Sequence, residues 1–263
     1  MIRRSLLLAL CCTVVHAQPV PSSDATLNAW SLRFTKEVDH QLLVPADVQK
    51  RYTDLLAQEL GESHMRNAPP QAYVLVDRSA FVQAAFVVVR TSAGWHWLGA
   101  TAVSTGKTGT YEHFLTPLGV FAHTLDNPDF RAEGTYNQNK IRGYGLKGMR
   151  VFDFGWQTAQ RGWGDDGESQ MRFQMHATDP NGLEARLGSV QSEGCVRIPA
   201  SLNRFLDRYG VLDAQYEEAA ASGKKLWILR ADRQTMPWPG RYLVVVDSGA
   251  TERPAWSPKP IKR

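Results

Sequence analysis

From Tyr73 onward the chain is cut into short runs of β-branched and aromatic residues, Tyr73–Val76, Phe81–Val89 and Trp95–Val103, each closed by turn residues. Runs of this kind read as strands of a mostly antiparallel sheet. Further strands are expected at Gly119–Thr124 and Arg172–His176, and Lys225–Arg230 reads as a closing strand. The expected fold class is mainly β with flanking helices.

Helical periodicity is confined to the flanks. Residues from about Ser22 to Gly61 read as helical, with Val48, Tyr52, Leu55 and Leu56 on one face, Asp47 as a cap and Gly61 as a stop. The break at Asn67–Pro70 separates an N-terminal extension over 18–68, read as a brace, from a main domain over 69–231. After the main strands, Leu202, Phe205, Leu206 and Tyr209 follow helical spacing between a Ser201 cap and a Gly210 stop. A second short helix covers Asp213–Ala221. Residues 232–263 form a proline-rich tail with one strand-like island, Tyr242–Val246.

The start of the chain carries an export signal: Arg3 and Arg4, an apolar stretch Ser5–Val15, and small residues in Val15-His16-Ala17 that place cleavage after Ala17. The apolar stretch is too short for a permanent membrane span. Cleavage removes Cys11 and Cys12 and leaves Cys195 as the only cysteine, so no intramolecular disulfide can form. The formal charge of +4 falls to about +2 without Arg3 and Arg4, too small a bias to point to nucleic acid.

An unpaired thiol in an oxidising compartment is a liability unless buried or used. Cys195 lies on the small-residue turn Ser192-Glu193-Gly194-Cys195, whose Ser192 is separated from His176 by fifteen residues. Strand alternation puts Phe173 and Met175 on one face, Gln174 and His176 on the other. Attack on an amide needs a nucleophile, a base and donors for the oxyanion. Cys195 supplies the first, and His176 is the candidate base, favouring the thiolate. Backbone N–H groups near Gly194 and Cys195 are candidates for the third. Arg197 shares the face of Cys195 in an extended segment and can clamp a substrate carboxylate.

Taken together these residues resemble the L,D-transpeptidase catalytic domain of the YkuD type. That family's hallmark is a histidine, a spacer of matching length, then Ser/Thr-His-Gly-Cys. Thr116-Pro117-Leu118-Gly119-Val120-Phe121 is similar to its Thr-Pro-x-Gly-x-Phe segment, and Cys195-Val196-Arg197 to its Cys-Ile/Val-Arg ending. The resemblance covers roughly Tyr73 to Ala231. It implies a β-sandwich catalytic domain in which Cys195 attacks the bond between the third residue of a peptidoglycan stem tetrapeptide and its terminal D-alanine. It also implies His176 as base, held by the carbonyl of Ala177, with no cofactor and no metal.

By the same resemblance the acyl-enzyme passes to an amine or to water, with an envelope protein as a further acceptor; the export signal points to the periplasm. The alternatives are a thiol L,D-carboxypeptidase or hydrolase of the same fold, and a catalytically silent peptidoglycan-binding domain. Ser192, Glu193 and Arg197 are the candidate substrate contacts. Glu193 stands where the family has histidine; a carboxylate there opposes thiolate formation and offers itself to a cationic amine on the stem peptide.

Other motifs carry less. Gly106-Lys107-Thr108 lacks the glycine a phosphate loop needs at Thr101. A zinc site drawn from His113, His123, His176 and Cys195 lacks any close ligand pair. Asp165-Asp166-Gly167-Glu168 lacks alternating calcium ligands and reads as a solvated turn. The glycine- and aromatic-rich stretch Lys140–Arg150 reads as a surface loop or a lid over the cleft.

Overall fold

The computed structural model describes residues 23–259, so the expected signal segment lies outside the described residues. Two helices, α1 (Ser23–Glu37) and α2 (Ala46–Glu62), lead into strands β1 (Gln71–Asp77), β2 (Ala84–Thr91), β3 (Gly94–Ala102), β4 (Gly119–Ala122) and β5 (Phe130–Arg131). Strands β6 (Arg150–Gln160), β7 (Glu168–Ala177) and β8 (Val196–Ile198) follow, then helices α3 (Ala200–Tyr209) and α4 (Ala214–Ala221) and strand β9 (Tyr242–Val246). The architecture is mixed α/β: two sheets with flanking helices, as the strand-rich sequence implies.

One sheet runs β3-β2-β1-β9-β4, the other β5-β6-β7-β8. Side chains alternate across a strand, so β1 splits its apolar run between two cores. Val74 and Val76 join Phe173, Met175 and Val196 of the second sheet, whereas Tyr73 and Leu75 pack with Tyr52, Leu56 and Leu60 of α2. A strand covered on both faces reads as a continuous apolar run, which is what Ala72–Val76 shows. Each such side chain contributes about 1.5–3 kcal/mol on burial.

The N-terminal helices do brace the strands: Leu27 and Phe34 of α1 lie in the core between the sheets with Phe205 of α3. The caps differ from expectation. Pro45, not Asp47, precedes α2, and Gly61 lies inside it, one residue before its end. Pro199 precedes α3, while buried Ser201 accepts the Asp39 N–H at 2.8 Å. Gly210 ends α3 in the left-handed conformation at φ 57°.

Three larger corrections follow. Residues 225–230 form no strand; Trp227 is exposed, and Arg131 Nη2 donates to the Ile228 carbonyl. The expected boundary at 231 does not end the main domain, because Tyr242–Val246, expected as a strand, forms β9 between β1 and β4, parallel to β1 with Tyr73 opposite Tyr242. Such a pairing joins distant segments, which local pattern does not reveal. Strand β6, the longest, was missed because the register shifts between Asp153 and Trp156, where Gly155 at φ 80° breaks the alternation.

Candidate active site

Strand β7 turns Met171, Phe173 and Met175 into the core and leaves Arg172, Gln174 and His176 on the outer face. Strand β8 runs parallel beside it, with Met175 opposite Val196 and His176 opposite Arg197. Val196 and Ile198 are core residues. Arg197 therefore shares the outer face with His176, and Cys195 stands two residues before it. Pleating fixes His176 on that surface, while Cys195 lies in the bend just before β8, partly buried and packed against the core between the sheets.

The turn before β8 is held from several sides. Ser192 Oγ donates to the Cys195 carbonyl at 2.6 Å and accepts the Gly194 N–H at 3.1 Å. Thr116 Oγ1 donates to the Gly194 carbonyl at 2.7 Å and accepts the Gly106 N–H at 2.9 Å. The Thr-Pro segment thus fixes the cysteine turn. Gly194 has φ 127°, and a Cβ there would lie 2.7 Å from Met171 Cε.

These contacts correct two expectations. Ser192 is buried and engaged within the turn, so it shapes the turn and is not placed to touch a substrate. The Gly194 N–H is engaged with Ser192 Oγ, so it is not a free oxyanion donor in this arrangement. Glu193 is exposed at the rim, and its own carbonyl accepts the Phe114 N–H at 3.2 Å.

His176 is buried, with Nδ1 2.9 Å from the Ala177 carbonyl oxygen. A carbonyl only accepts, so Nδ1 carries the proton and Nε2 presents a lone pair. Burial pushes the imidazole down to about 4, opposed by the Ala177 carbonyl and aided by Arg197. Burial pushes the Cys195 thiol up to about 11; the Gln174 backbone and Arg197 oppose this, while Glu193 and Asp153 add to it. The thiol points its proton at the Arg172 carbonyl, 3.8 Å away. The expected thiolate is therefore not the resting form: both partners are desolvated and neutral.

Arg197 is mostly covered. Its Nη1 donates to the Gln191 carbonyl at 3.2 Å, and its buried Nε has no hydrogen-bond partner. It lines a cavity of about 130 Å³ with Ser104, Thr178, Arg186 and Gln191. That cavity is lined by neither Cys195 nor His176.

Tyr144, Gln174 and Asp153 were not singled out from sequence. The Tyr144 ring meets the His176 ring edge-on, centroids 4.7 Å apart, and its hydroxyl donates to Gln174 Oε1 at 3.3 Å. Gln174 Nε2 donates to buried Asp153 at 2.8 Å. Tyr144 of the 140–150 stretch thus reaches the imidazole, and the stretch is tied down by the Arg142 N–H and Nη1 to Asp179 at 2.9 and 3.2 Å, whereas Arg150 at its end is fully buried beside Asp129 and Asp213. Its density of glycines and aromatics was the available signal.

His123 belongs elsewhere. It is fully buried, 2.9 Å from Asp129 through Nε2 and 2.9 Å from the Leu212 carbonyl through Nδ1, beside Arg150 and Asp213. Among the described residues no group of three or more His, Cys, Asp or Glu is arranged for a metal ion. Among the same residues no helix is long and apolar enough to cross a membrane.

No protein-family model matches the chain, and no curated protein matches it. Among solved structures, that of Bdellovibrio bacteriovorus Bd1075 aligns with 18% identity and a TM-score of 0.32, over 67% of this chain and 51% of that one. The chain spans about half the length of that protein, and the likeness is too slight to speak for fold or activity.

Proposed function

We propose that this chain is a cysteine acyltransferase of the L,D-transpeptidase type, with a β-sandwich catalytic domain acting on peptidoglycan stem peptides in the periplasm. The observation that supports the reading is the parallel pairing of β7 with β8, which sets a singly protonated His176 opposite Arg197, two residues after Cys195. In this reading Nε2 takes the thiol proton as sulfur attacks the carbonyl of the third stem residue, and returns it to the departing D-alanine amine. The thioester left on Cys195 is then opened by an amine, or by water in a carboxypeptidase.

A neutral pair suits this cycle. Proton transfer coupled to attack avoids holding a buried ion pair at rest, and a substrate carboxylate beside Arg197 changes the local charge on binding. Incubation with purified muropeptides and weighing of the products tests the reading. Crosslinked dimers mark transfer and loss of D-alanine alone marks hydrolysis, each abolished in Cys195→Ala. Absence of both products, with no carbapenem adduct on Cys195, would overturn it.

A further inference from the structure

The outer face that carries Arg172, Gln174 and His176 continues along β7 onto β6. Trp156 stands there 64% exposed, opposite Arg172 in register. The Arg172 guanidinium lies 6.0 Å from the indole centroid, held by Asp153 through Nε at 3.0 Å and Nη2 at 2.9 Å. One register step on, Gln170 Nε2 donates to Thr158 Oγ1 at 2.6 Å. An indole this exposed on a rigid strand is an unused contact surface.

Its surroundings specify the chemistry. Beside the indole on this face stand the Arg172 guanidinium and, one register step on, the Gln170 amide and Thr158 hydroxyl. A sugar ring presents an apolar C–H face to stack on an indole and hydroxyls to meet amides and guanidinium. We propose that Trp156, Arg172, Thr158 and Gln170 form a saccharide subsite for the glycan strand bearing the reacting peptide. The inference rests on the reading given above for the reaction.

The spacing agrees. Cys195 and Trp156 are separated by two strand spacings and about two residues along the strand, on the order of 10 Å. Three extended peptide residues span about 10 Å. A stem peptide whose third carbonyl reaches the sulfur therefore brings its sugar to the indole.

The test uses the full chain carrying Cys195→Ala and peptidoglycan glycan strands stripped of their peptides. The expected result is binding that Trp156→Ala weakens about tenfold and Trp156→Tyr largely restores. Equal melting temperatures of the variants exclude a folding artefact. Failure of the strands to bind, or binding indifferent to Trp156→Ala, overturns the proposal. So does equal weakening of a sugar-free tetrapeptide, which would make the face a peptide site. If wild-type Cys195 is acylated by no stem peptide while the strands still bind through Trp156, the reaction reading fails and the subsite stands.

Discussion

The Tyr144 and His176 rings meet edge-to-face, at 69° and 4.7 Å between centroids. This contact keeps water from an imidazole that has only the Ala177 carbonyl as hydrogen-bond partner. Removing the ring lets water in. In Tyr144→Ala the His176 titration, followed by NMR, moves up from about 4 toward the ordinary histidine value by at least about one unit. Tyr144→Phe, which keeps the ring, leaves it near 4. An unmoved midpoint in Tyr144→Ala would sink this account of the lid.

The same imidazole sets a pH dependence of stability. A folded value near 4 against about 6.5 unfolded means that between those pH values the unfolded chain binds the extra proton. Stability therefore rises with pH through that window, and about 3 kcal/mol is lost on going from pH 7 to pH 4. His123 acts with the opposite sign: its folded value is raised by Asp129, so its contribution is present below 6.5 and fades as pH rises through that folded value. Urea midpoints should thus peak near neutrality, and His176→Gln should flatten the acid side alone.

Cys195 should be sluggish at rest. With the thiol near 11, its thiolate population at pH 8 is about a hundredfold below that of an ordinary cysteine, and iodoacetamide labelling should be slowed accordingly. The rate should climb toward pH 11 rather than level off near 9. Labelling as fast as that of free cysteine at pH 8 would contradict a neutral resting thiol.

Glu193 pushes the thiol upward and stands exposed at its rim. Glu193→Gln should lower the thiol pKa and speed iodoacetamide labelling at pH 8 several-fold. If the carboxylate also receives a cationic amine, the same variant loses the preference for amine-bearing over amine-blocked stem peptides. An unchanged preference removes that second role and leaves the first.

Arg150 is fully buried between Asp129 at 2.5 Å and Asp213 at 2.7 Å. Replacing one carboxylate leaves charge uncompensated in the interior, so Asp129→Ala should cost about 3–5 kcal/mol in urea unfolding. Arg150→Met, which strands two carboxylates, should be comparably destabilising. Full stability in both variants would show the network to be dispensable.

Local pattern was enough for the strands that alternate or run apolar, for the α3 stop at Gly210, and for His176 on the outer face of its strand. Each depends on the period of the backbone or the conformation of one residue, which neighbours in sequence specify. The pattern failed where register slips, as at Gly155 in β6, and where a late segment such as Tyr242–Val246 pairs with an early one. It also misjudged Ser192, Gly194 and the charge state of the pair. Those depend on which donors already have partners and how much water is excluded, and only long-range packing fixes either. Tyr144 reaches His176 from thirty-two positions upstream, so the protonation state of the site belongs to the fold rather than to the motif.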